Sequence, residues 1–237
     1  MNHDTCRLTV VTSSRYWLPA AALAAAGCAL APTTPMQRDR LARVEILAML
    51  QTLNADLLSH DSATLTLERW CADHRLAEPV RILARRLHDG PKPAPGDVRA
   101  RLGVDAAEPL GYRHVQLLCG EHVLSEADNW YVPGRLTGGM NRQLDTSDEP
   151  FGKVVKPLGF QRRTFSVELL WSPLPNGWEM SEPESGPRPL RIPNAVLRHE
   201  AVLYTSKQVP FSAVVETYTN NLFDFGRWSA YRQAEKP

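Results

Sequence analysis

Apolar positions along the chain fall into two periods. From Thr34 to about Ser59, Leu41, Val44, Ile46, Leu47, Leu50, Leu53, Leu57 and Leu58 recur three and four apart, the spacing of a helix with one buried stripe. Thr34 is placed as its N-cap, Pro35 suits the first helical position, and Gln37 completes a capping box. His60–Thr64 breaks this pattern with cap chemistry, and a short helix is expected through Leu67 and Trp70. Pro79–Leu87 then alternates Val80, Ile82 and Ala84 against Arg81, Leu83 and Arg85. That reads as a strand, although arginines at this density also fit a helix. Asp89–Gly96, with its prolines and glycines, is a loop, and Asp97–Leu102 is a short helix ended by Gly103.

The stretch Tyr112–Phe165 predicts strand, tight turn, strand, helix, short helix, strand. Tyr112–Leu118 and Val123–Val132 flank a turn at Gly120-Glu121-His122, and Pro133-Gly134 stops the second strand. Helical spacing follows through Leu136, Met140 and Leu144, before the polar turn Asp145–Asp148 and the segment Pro150–Val155. A hairpin roofed by its own connecting helices can enclose a small ligand. Phe160–Trp171 is a strand with Phe165, Val167 and Leu169 on one face; Ser172–Pro193 is a long loop, either a lid or a solvated insertion. Ala195–Thr205 and Phe211–Thr219 form a hairpin, and the tail Asn220–Pro237 carries enough apolar residues to pack back. The sum is an α+β chain: an antiparallel sheet of about six strands with interleaved covering helices.

Length and composition narrow the function. The 237 residues, 43% hydrophobic, suffice for one sizeable core. A net charge of +1 gives no nucleic-acid footprint, and Arg81, Arg85 and Arg86 read as a solvated strand face. Cys6, Cys28, Cys71 and Cys119 are isolated, and the histidines are scattered, so no metal site is expected. Cys71 and Cys119 either pair in an oxidising compartment or leave Cys119 as a buried free thiol.

Residues 1–28 read as an export leader, with Arg7 and Arg15 before the apolar run Tyr16–Ala26. Ala25-Ala26-Gly27-Cys28 resembles a bacterial lipobox, with alanine at position 25 where leucine is usual. This makes Cys28 the lipidation candidate, residues 29–35 a tether, 36–237 a single domain, and the lipid anchor the only membrane contact. The expected place is then the periplasm, membrane-anchored. The other reading is an ordinary alanine-rich helix on a cytoplasmic protein.

Between Asp61 and Leu222, the order of elements and several motifs resemble the chorismate pyruvate-lyase family. The matching segments are Leu117-Leu118-Cys119, Val132-Pro133, Pro150-Phe151-Gly152, Arg163-Thr164-Phe165 and Pro210 through Glu216. The resemblance implies an antiparallel sheet covered by helices, a fold shared with the ligand-binding domains of one class of bacterial transcription regulators. It implies elimination of pyruvate from chorismate to give 4-hydroxybenzoate, a downhill reaction that needs no metal or redox cofactor. Glu216 falls where the family has its glutamate, a general acid if kept protonated beside the leaving oxygen. The family's carboxylate-gripping arginine falls on His114. Arg113 is adjacent but, by strand alternation, faces the other side unless a slip or bulge presents it. Phe151 matches a backbone contact, Ala63 stands where the family has a pocket methionine, and Arg163 is a second available cation. Three functions stay open: a cofactor-independent lyase, a non-catalytic binding module for a small aromatic acid or other metabolite, and an envelope scaffold.

Overall fold

The computed structural model describes residues 35–88, 90, 92–181 and 189–233. The leader, Cys28 and residues 29–34 of the expected tether lie outside the described residues, while Pro35 already opens the first helix. No described helix is long and apolar enough to cross a membrane.

Helices α1 (Pro35–Ser59) and α2 (Ala63–Asp73) precede strand β1 (Ile82–Leu87) and helix α3 (Gly96–Leu102). The hairpin β2 (Gly111–Cys119) and β3 (His122–Tyr131) leads into α4 (Gly138–Thr146) and the one-turn α5 (Phe151–Val154). Strands β4 (Gln161–Leu169), β5 (Ala195–Tyr204) and β6 (Pro210–Thr219) complete the sheet, whose order is β1-β2-β3-β6-β5-β4. Every pairing is antiparallel. Two three-stranded meanders are thus joined edge to edge through β3 and β6. The chain crosses from one meander to the other through α4 and α5, the roof expected from sequence.

One sheet face carries α1 and α2. Ile46, Leu50, Leu53 and Leu57 of α1 are fully buried, with Leu67 and Trp70 of α2, against Leu117, Leu197 and Tyr218 of the sheet. Each such side chain contributes about 2 kcal/mol, so docking on the sheet, rather than helix propensity, holds α1. The same face continues under the roof, where Tyr131, Leu144, Val155 and Phe211 cluster. The opposite face is partly covered by Val98 and Leu102 of α3, packed on Trp130, Val202 and Ala213.

Three expectations change in detail. Phe165, Val167 and Leu169 do not share one face. β4 bulges between Thr164 and Ser166, so Phe165 turns to the α3 side under the Arg101 guanidinium, 3.5 Å from the ring centroid. Val167 and Leu169 instead pair with His199 and Leu197. All three stay 40–42% exposed because β4 is an edge strand. The Ser172–Pro193 segment is partly anchored: Leu174, Leu190 and Ile192 are buried, and Arg43 of α1 donates to the Pro173 carbonyl at 3.0 Å. Finally, Cys71 and Cys119 form a disulfide, tying α2 to the end of β2; Cys119 is therefore not a free thiol. The tail packs back as expected, with Leu222 and Phe223 fully buried and Trp70 Nε1 donating to the Leu222 carbonyl at 2.9 Å.

Candidate functional site

A cavity of about 50 Å³ lies between the sheet, the start of α2 and the roof. Strand alternation supplies its floor. Val115 and Leu117 of β2, Ala127 and Asn129 of β3, and Val214 and Glu216 of β6 all line it, two residues apart on each strand and in register across them. Phe151, Gly152 and Phe160 come from the roof, and Asp61–Thr64 from the turn into α2. Ser62 caps that helix, its hydroxyl accepting from the Leu65 N–H at 3.3 Å. Gly152 explains the Pro-Phe-Gly segment: a Cβ there would stand 3.3 Å from the Ser62 and Thr64 hydroxyl oxygens. Only glycine lets α5 sit this close to α2 without displacing either hydroxyl.

The polar end of the cavity is a buried ion pair. Arg162 Nη2 stands 2.6 Å from Glu216 Oε2, with side chains 3% and 8% exposed. The contact is short but poorly angled for a hydrogen bond. Tyr218 donates its hydroxyl to the same Oε2 at 3.0 Å, and Arg162 Nε reaches Thr164 Oγ1 at 3.3 Å. Burial opposes the charge on Arg162, yet Glu216 and Tyr218 together raise its pKa above the usual value. Burial first, then the Glu216 charge, pushes the Tyr218 phenol well up, so it stays neutral. Opposite Glu216 on β5 is His199, fully buried, with Nε2 2.8 Å from Asn54 Oδ1 on α1. Burial and the nearby Arg162 charge lower its pKa to about 4. The ring is therefore neutral at pH 7, with Nε2–H donating to the Asn54 carbonyl.

His199 gives the fold an acid-sensitive element. Above pH 6.5 the imidazole is neutral in both folded and unfolded chains. Between about pH 6.5 and 4 the unfolded chain takes up a proton that the folded chain refuses, so stability falls as the pH drops through that window. From pH 7 to pH 5 the loss is on the order of 2 kcal/mol. Urea midpoints at the two pH values measure it. His199→Gln, which keeps a donor toward Asn54, flattens that part of the profile. An equally steep profile in the variant assigns the slope to other groups.

The structure brings three of the residues singled out from sequence to this cavity: Glu216, Phe151 and Ala63. His114 lies on the opposite sheet face, its Nε2 2.8 Å from Glu126 Oε1. The register shift between β2 and β3 makes Leu124 the extra residue, so β2 itself alternates without a slip. Arg113 therefore shares the face of Val115 and Leu117, directly opposite Asn129. It is 3% exposed, and Nε, Nη1 and Nη2 have no hydrogen-bond partner among the described residues. Burial, then Arg86, lowers its pKa, while Tyr131, Asp145 and Asp148 act the other way. Arg163 lies on the outer side, stacked 4.5 Å from the Tyr204 ring centroid and donating to Gln208. The cavity's cation is its neighbour Arg162. Sequence reasoning also passed over Asn129, whose Oδ1 accepts from Ser212 at 2.6 Å. Among the described residues no group of three or more His, Cys, Asp or Glu side chains is placed to hold a metal ion.

No protein-family model matches the chain. The uncharacterized protein y4mC of Sinorhizobium fredii (strain NBRC 101917 / NGR234) is 54% identical over 197 residues, spanning 82% of this chain and 81% of that protein. Among solved structures, PhnF from Mycobacterium smegmatis aligns over 76% of this chain and 71% of its own, at 12% identity and a TM-score of 0.47. The effector domain of PhnF aligns over 65% and 88%, at 12% identity and a TM-score of 0.42. A GntR-family transcriptional regulator from Enterococcus faecalis V583 aligns over 65% and 99%, at 15% identity and a TM-score of 0.38. These likenesses are loose, and the α+β assignment rests on the strand order itself.

Proposed function

This chain belongs to the same family as the y4mC protein of S. fredii, and we propose that it binds a small aromatic acid in the cavity between sheet and roof. The observation that carries this reading is Arg113. A guanidinium 3% exposed, with all three nitrogens unpartnered among the described residues, costs folding free energy unless something else uses it. Its planar fork suits a carboxylate. Arg113 does not line the cavity but stands one same-face step along β2 from Val115 and opposite Asn129, which do; the cavity itself offers apolar walls from Val115, Ala127, Val214, Phe151 and Phe160, suited to a ring. Export to an oxidising compartment goes with this reading, supported by the Cys71–Cys119 bond; lipidation at Cys28 is the matching proposal for the anchor.

Turnover of chorismate to 4-hydroxybenzoate and pyruvate is the second reading, favoured by the convergence of Glu216, Phe151 and Ala63 on one cavity. It asks Glu216 to deliver a proton to the ether oxygen. As arranged, Oε2 already receives the Tyr218 hydroxyl and the Arg162 cation, which favours binding without chemistry.

One pair of assays tests both readings. The purified protein is titrated with 4-hydroxybenzoate by calorimetry and separately supplied with chorismate while both products are followed. The expected result is saturable binding, weakened roughly 10–100-fold in Arg113→Met as a charged hydrogen bond is lost, with no turnover. Turnover that vanishes in Glu216→Gln would establish the lyase. Absence of both binding and turnover would sink both readings.

A further inference from the structure

The two edges of the sheet are finished differently. At β1 the Ile82 N–H donates to Glu68 Oε2 at 3.0 Å and the Ala84 N–H to the Asp148 carbonyl at 2.8 Å, so α2 and the roof close that edge. At β4 the Arg162 N–H donates to Asp61 Oδ1 at 3.0 Å. From Thr164 to Leu169 the outer side of β4 has no backbone partner among the described residues. Apolar side chains collect on this open edge. Phe165, Val167, Leu169 and Leu170 are four of the nine large apolar side chains left exposed among the described residues. Free backbone groups flanked by apolar side chains are a template for another strand.

The bulge between Thr164 and Ser166 makes β4 complementary to itself. Arg163, Ser166 and Glu168 lie opposite Val202, Glu200 and Arg198 of β5, on the outer face with Phe165. Arg162, Thr164, Val167 and Leu169 lie opposite Leu203, Ala201, His199 and Leu197, on the inner face. An antiparallel copy centred between Phe165 and Ser166 sets Thr164 against Val167 and Arg163 against Glu168, each meeting a residue of its own face. In a regular strand Arg163 and Glu168, five apart, would face opposite sides. The backbone agrees with this register. The Arg162 N–H points outward to Asp61 and the Leu170 N–H inward to the Val196 carbonyl at 3.1 Å. By alternation, Thr164 and Val167 both turn their N–H and C=O outward.

We propose that β4 pairs in this register with β4 of a second copy of the chain, joining two six-stranded sheets across a two-fold axis. Arg163 of each copy meets Glu168 of the other. The Glu168 carboxylate has no ion-pair or hydrogen-bond partner among the described residues. Arg163, stacked on Tyr204 and donating to Gln208, keeps further donors for it. Because β1 is closed, the pairing ends at two copies instead of growing into a filament. The joint is short, which places it among transient interfaces, with dissociation in roughly the micromolar range. It holds whatever the cavity binds.

Sedimentation velocity of the full chain over a concentration series tests the pairing. Monomer is expected to give way to dimer as concentration rises. Arg163→Glu and Glu168→Arg each weaken association about tenfold or more, since each sets like charges opposite one another twice. The double reversal restores it to the wild-type level. Val167→Pro removes an outward N–H and is compatible with an edge strand; it abolishes the dimer while leaving the circular dichroism of the monomer unchanged. If that variant misfolds, the charge reversals decide alone. A chain that stays monomeric throughout the series overturns the proposal. So does a dimer that neither single reversal weakens, or a double reversal no tighter than the single ones.

Discussion

Arg162→Met lowers the stability of this protein by about 3–5 kcal/mol, the cost of orphaning one partner of a buried ion pair. Glu216 is 8% exposed and keeps only the Tyr218 hydroxyl once the guanidinium is gone. Chemical denaturation of wild type and variant gives the difference directly. Arg162→Met/Glu216→Leu recovers much of the loss, because an apolar pair of similar volume has no charge to desolvate. The cycle of the two single changes and the double one isolates the coupling. Arg113→Met behaves oppositely: with no partner to orphan among the described residues, it leaves stability unchanged or raises it. A loss below 1 kcal/mol in Arg162→Met would mean that the pair is hydrated and the cavity open at that end. The two buried arginines are thus separated by experiment into one held in an ion pair and one without a partner among the described residues.

Breaking the Cys71–Cys119 bond has the next largest effect. The two cysteines are 48 residues apart in sequence, and closing a loop of that size in the unfolded chain is worth roughly 4 kcal/mol by chain entropy, with 2–4 the usual measured range. Replacing both cysteines by alanine therefore lowers the melting temperature by about 10 °C for a chain of this size. Both side chains are fully buried, so a thiol reagent added after mild reduction labels them only where the fold opens. A double variant that melts with the wild type would show the bond to be mechanically idle. Because α2 opens at Ser62–Thr64 on the cavity and β2 supplies Val115 and Leu117, the same variant loosens two walls of the site.

Periodicity alone made most elements legible. The α1 stripe, the β2–β3 hairpin and the β5–β6 hairpin are local patterns, and local patterns survive in sequence. Glu216, Phe151 and Ala63 were reachable through the resemblance because they sit in short motifs. What stayed hidden is phase. A strand shows which residues alternate but not which set faces the core until its neighbours are known. Arg113 or His114, and Arg162 or Arg163, are such choices, and the sheet settles both. On β4 the pattern misled. Its apolar residues marked one face, but the bulge between Thr164 and Ser166 divides them, and the edge position leaves them in solvent. The ion pair joins β4 to β6 across β5, so no stretch of sequence shorter than the whole second meander contains it.

The narrowness of the cavity sets a clock. Its volume of about 50 Å³ is well under the ~150 Å³ in which a benzene ring is known to lodge. For a ring to lodge there, as proposed, the surrounding side chains, Phe151 and Phe160 among them, must give way. In that reading the fraction of time spent open multiplies the apparent affinity and the entry rate alike. Under the binding proposal a ring-sized ligand therefore associates more slowly than it would with an open, preformed site, at a rate set by how often the walls give way.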